Sequence, residues 1–161
     1  MNTTSAVTTI TNELRAVQTI LLAGVTAGLL DITAPFVTWR IKGVTPIRVL
    51  QGIASGILGP RSFHGGLKTA VLGAALHFVI AFSAAGVFYA ASLGFIFITR
   101  HWTLSGAVYG IDVYAFMYWL ILPISAVNRR PPSLTATVVA IITHIACIGL
   151  PISLIVRSSS R

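Results

Sequence analysis

Leu67 to Ile98 reads LKTAVLGAALHFVIAFSAAGVFYAASLGFIFI, and after Lys68 it carries no formal charge before Arg100. About 20 apolar residues cross the hydrocarbon core of a bilayer, so this run is long enough to span with some tilt. Its first half holds one titratable group, His77. An ionisable side chain at membrane depth is by default a functional hypothesis, because lipid solvates it poorly.

The rest of the chain agrees. Of its 161 residues 55% are hydrophobic and only 9% charged, against about 25% charged in soluble domains. With a mean hydropathy of +0.89 the chain cannot cover itself with polar surface, and the length suits a single membrane domain. The net charge of +8 does not point to nucleic acid. The basic residues stand at the ends of apolar runs, where they orient helices and meet anionic lipid headgroups. Cys147 is the single cysteine, so no intrachain disulfide forms and it reads as a small core residue.

In chain order, residues 1–11 read as a frayed tail, and a helix is expected near Asn12, with Asn12 as cap and Glu13 in the first turn. The spans are placed at about 16–39, 67–98, 103–127 and 134–156. The first is too long, and lacks the small-residue site, for a cleaved signal peptide. Thr45-Pro46 starts a short helix over 46–58 that ends at Gly59-Pro60. At about 20 Å it is too short to span, and it reads as an interfacial or re-entrant element. Leu50, Ile53, Ile57 and Leu58 share one of its faces, and Arg48, Gln51 and Ser55 another. The expectation is an all-α integral membrane four-helix bundle with that short helix between spans one and two.

Four spans put both termini on one side. Arg40, Lys42, Arg48, Arg61, Lys68, Arg129 and Arg130 flank the connectors after spans one and three, against Arg15, Arg100, Arg157 and Arg161 on the other face. The positive-inside rule then makes loops 40–66 and 128–133 cytoplasmic.

In lipid, helices associate through small residues that let backbones approach. Gly24 and Gly28, then Gly86, Ala90 and Gly94, then Gly106 and Gly110 provide such four-residue steps on the first three spans, and Gly52 and Gly56 mark the short helix. Each span also holds one ionisable group: Asp31, His77, Asp112 and His144. Counted from the presumed cytoplasmic ends, Asp31, His77 and His144 lie about 12–16 Å deep, and Asp112 about 10 Å higher, where Tyr109 is one turn away. An unpaired mid-membrane carboxylate costs several kcal/mol, about enough to favour an Asp–His pair.

Three uses follow. The groups form a proton or small-ion relay, with His77 titrating, Asp31 as counter-charge and His144 as second station, and Asp112 a further candidate. Alternatively, the small-residue faces dock a second copy or a partner membrane protein, which makes the chain a structural or accessory subunit. Third, His77 and His144 hold a haem. No catalytic motif, phosphate loop or zinc spacing is present, so the expectation is a non-enzyme without cofactor or metal.

HFVIAFSAAGVFYA from His77, GAVYGIDVYAFMYWLILP from Gly106 to Pro123 with the following Pro131-Pro132, and the region of His144 resemble the YagU-like family of uncharacterised bacterial inner-membrane proteins. The family's pattern has histidines at the positions of His77 and His144 and does not clearly supply Asp31 or Asp112. The resemblance implies a bacterial inner-membrane location and brings no activity with it.

Overall fold

The computed structural model describes residues 3–127 and 131–160. Arg129, Arg130 and Arg161, counted above among the orienting charges, lie outside the described residues. Four helices are long and apolar enough to cross a membrane, which makes this a multi-pass membrane protein. They are α1 (Thr3–Ile41), α3 (Gly66–Gly94), α5 (Trp102–Ile124) and α6 (Leu134–Ser159). Between α1 and α3 lies the short α2 (Pro46–Leu58), and α4 (Ile96–Arg100) is a single turn before α5.

α1 begins at Thr3, well before the expected cap at Asn12, which is therefore helix interior. No glycine or proline interrupts residues 3–15, and threonines here are accommodated by back-bonding: Thr11 Oγ1 donates to the Val7 carbonyl and Thr19 Oγ1 to Arg15. The second span ends at Gly94 rather than residue 98, because Phe95 adopts extended backbone (φ −134°, ψ 97°). α5 stops at Ile124, where Ser125 turns extended.

The start of α2 follows its residues: Thr45 accepts from the Arg48 N–H at 3.3 Å, and Pro46 takes the first helical position. Its orientation does not follow the amphipathic pattern. Gln51, Ala54 and Ser55 are buried against α3, while Ile47, Ile57 and Leu58 point outward. Gln51 Nε2 donates to the Gly66 carbonyl (3.0 Å), and Gly73 lets the Leu50 carbonyl sit where a side chain would begin. In lipid the apolar face has no reason to turn inward, whereas the amide gains a partner there.

The bundle is built from adjacent pairs. α1 packs on α3 and on α6, and α6 packs on α5, but the backbones of α3 and α5 scarcely touch. Ala23, Ala27, Ala85, Phe88, Ile152 and Val156 form much of the centre. Outward faces carry Leu21, Leu29, Val71, Val79, Leu104 and Ile142, as expected where lipid is the solvent. Both ends carry basic–aromatic pairs: Lys42 over Trp39 (4.8 Å) and Arg48 over Phe63 (4.2 Å) at one, Arg157 over Trp102 (5.7 Å) at the other.

The glycine steps divide. Gly106 and Gly110 on α5 meet Gly149 on α6: a Cβ on Gly110 would fall 2.6 Å from Ile145 Cα, and one on Gly149 would overlap the Gly106 carbonyl. On α1, Gly24 and Gly28 lie under the rings of Phe82 and Phe78 of α3. Gly86 and Gly94 have nothing within 4 Å of an added Cβ, and Ala90 is exposed. This third step does not pack within the chain, because α3 buries the face of Ala81, Ala85 and Phe88 instead.

Candidate functional site

Asp31, His77 and His144 line one cavity of about 230 Å³ in the interior of the bundle. Every spanning helix contributes to its wall: α1 through Asp31 and Pro35, α3 through His77 and Ala81, α5 through Val113 and Met117, α6 through His144 and Ile148. Ile53 of α2 lines it too, so the short helix borders the cavity rather than merely bridging two spans.

The three side chains share a cavity without touching. Among the described residues no hydrogen bond or ion pair joins them. Each imidazole is held instead by a backbone carbonyl. His77 Nε2 lies 2.8 Å from the carbonyl of Gly28, one turn before Asp31, and His144 Nδ1 lies 2.8 Å from that of Ala140 on its own helix.

A carbonyl only accepts, so the nitrogen facing it carries the proton. That sets opposite tautomers: Nε2–H for His77 and Nδ1–H for His144. The remaining nitrogen of each neutral ring, Nδ1 of His77 and Nε2 of His144, then carries a lone pair, and neither has a partner among the described residues. Tertiary contacts also fix the rings: Phe78 stands edge-on to His77 (5.5 Å) and Tyr114 edge-on to His144 (5.6 Å).

The backbone around the cavity is irregular in ways the sequence explains. Pro35 has no N–H to give the carbonyl of Asp31 four residues back. α5 and α6 each contain one π turn, Met117–Ile121 and Ile145–Gly149, closed by bonds from Leu122 to Met117 and from Leu150 to Ile145. Pro123 and Pro151 follow two residues after these turns. A proline's missing donor favours such a local shift, and π turns are frequent beside functional sites. Met117, His144 and Ile148 stand at or beside the turns and on the cavity wall. Pro35, Pro123 and Pro151 were the sequence signal for this irregularity.

No family model, curated protein or solved structure matches the chain.

The fourth ionisable group stands apart. Asp112 is exposed, and it lines a second cavity of about 500 Å³ between α3 and α5. Measured from the ends of α1, α3, α5 and α6, all four groups lie at similar depth, about 15–18 Å. Rotation rather than height separates Asp112: its neighbour Val113 faces the first cavity, and one residue turns a helix by about 100°. Tyr109 does not serve it, since its hydroxyl donates to the Ala84 carbonyl (2.7 Å). Among the described residues no group of three His, Cys, Asp or Glu side chains is placed to hold a metal ion.

Proposed function

We propose that the protein moves or senses protons through the cavity lined by Asp31, His77 and His144. The supporting observation is that three titratable side chains from three spans border one cavity, with each imidazole oriented by a carbonyl that leaves its second nitrogen basic. The cavity is large enough for several waters beside the three polar groups on its otherwise apolar wall, and in this reading those waters replace direct contact as the link between stations. Histidine titrates near neutral pH, and the Asp31 carboxylate offsets the charge a protonated ring brings into lipid. The site is an imidazole–water–carboxylate path in a bacterial inner membrane, with loops 40–66 and 128–133 cytoplasmic.

The test is proton flux across proteoliposomes carrying an internal pH dye. His77→Gln should remove the pH-dependent component, with His144→Gln reducing it and Asp112→Asn leaving it intact. Unchanged flux in His77→Gln refutes the assignment.

A second reading has its own observation. Gly86, Ala90 and Gly94 leave a smooth strip on α3 that no other described residue covers. An accessory subunit would use it to seat a partner helix, and would co-purify with that partner at fixed stoichiometry.

A further inference from the structure

The Asp112 side chain is a carboxylate near the middle of a spanning helix, exposed, with no hydrogen bond or ion pair among the described residues. Among the described residues no cation stands beside it. Arg100, Arg157, Lys42 and Arg48 stand near or beyond the ends of the spans, and Asp112 is about 15 Å from one end of α5 and about 18 Å from the other, beyond the reach of a basic side chain anchored there. A second copy has the same distribution of charge and brings no basic group to that depth. Zwitterionic headgroups stay at the interface. A counter-ion for an ionised Asp112 would have to carry its positive charge inside an apolar body.

The groove beside it suits such a body. α3 and α5 stand apart over a volume of about 500 Å³, within the range of small-molecule sites. Ile80, Val87, Val113 and Phe116 provide apolar walls, and Asp112 is the one charged residue among its lining. Tyr109 and Phe116 add aromatic rings to the lining. At one side Tyr109 closes the gap through its bond to Ala84 and its edge-on contact with Phe88 (5.0 Å).

We propose that the α3/α5 groove binds a hydrophobic monovalent organic cation, with Asp112 as its counter-charge. This site is distinct from the Asp31/His77/His144 cavity and does not depend on its role, although Ile80, Ala84, Val113 and Met117 line both.

Equilibrium binding of radiolabelled tetraphenylphosphonium to the full chain in phosphatidylcholine nanodiscs tests it. Saturable binding near one per chain is expected, with competition from other lipophilic cations and none from tetraphenylborate. Asp112→Asn should weaken binding by about tenfold or more, because a charge–charge attraction in low dielectric is lost. Asp31→Asn should weaken it less than Asp112→Asn does, since Asp31 does not line the groove. Val87→Trp, which fills the groove and keeps the carboxylate, should also lose binding, and it serves as the second variant if Asp112→Asn does not fold. Absence of saturable binding to the wild type overturns the proposal. So does undiminished binding to Asp112→Asn, or equal competition by the borate. If Asp112→Asn changes the monomer–dimer distribution and not the binding, the carboxylate belongs to a contact between copies and the proposal falls.

Discussion

α5 has two neighbours and meets them in opposite ways. Toward α6 it is sealed: Gly106, Gly110 and Gly149 bring the backbones together so closely that no side chain fits between them. Toward α3 it is open, with a groove of about 500 Å³ and one polar tie, Tyr109 to Ala84. Dispersion at close range holds the first seam. The second keeps only a local contact and leaves a carboxylate uncovered. The lesson concerns how a membrane bundle distributes stability. Where hydrophobic burial offers little drive, helices hold where small residues let a neighbour approach closely, and openings survive elsewhere.

Substitutions at the two seams test that contrast. The largest effect is expected from Gly149→Ala, whose Cβ overlaps the Gly106 carbonyl. Backbone against backbone cannot relax by a rotamer change, so a loss of about 3 kcal/mol is expected in SDS-driven unfolding from mixed micelles. Tyr109→Phe removes the single hydroxyl bridge across the open side and should cost about 1 kcal/mol in the same assay. Smallest, and of opposite sign, is Gly86→Ala. With nothing within 4 Å of the new methyl, it should gain up to about 1 kcal/mol from helix preference alone. Equal losses in Gly149→Ala and Gly86→Ala would break the comparison, because both would then be generic glycine effects.

The two intramembrane aspartates sharpen the same point. Asp31 and Asp112 are both carboxylates without a hydrogen-bond partner among the described residues, at similar depth along their helices. One borders an interior cavity with two imidazoles, and the other borders a lateral groove with none. Depth was readable from residue spacing, and it brought Asp31, His77 and His144 to one level. It set Asp112 about 10 Å higher; with α5 ending at Ile124 and α1 at Ile41 the offset shrinks to about 3 Å. Whether Asp31 and the histidines meet was not readable from residue order. Carbonyls of Gly28 and Ala140 satisfy the rings first, and backbone acceptors are invisible in a pattern of side chains.

Other differences have similar causes. The threonines near the N-terminus read as a tail, yet the helix begins at Thr3 and the Thr11 hydroxyl bonds back to the Val7 carbonyl. In α2 the pattern of apolar residues marked a face correctly and said nothing about which way it turns, since the inside–outside rule of water does not hold in lipid.

From residue order alone came the membrane class, four spans, the short helix with its Thr45-Pro46 start, and one ionisable group per span. These follow from local chemistry, from the length of apolar runs and the positions of caps and charges, and need no knowledge of neighbours. Which helices touch, which glycines are filled by a partner's backbone, and which ring nitrogens keep a free lone pair were decided by tertiary structure. They depend on the rotation of each helix about its axis, and lipid, equally hospitable to any apolar face, leaves that rotation to packing.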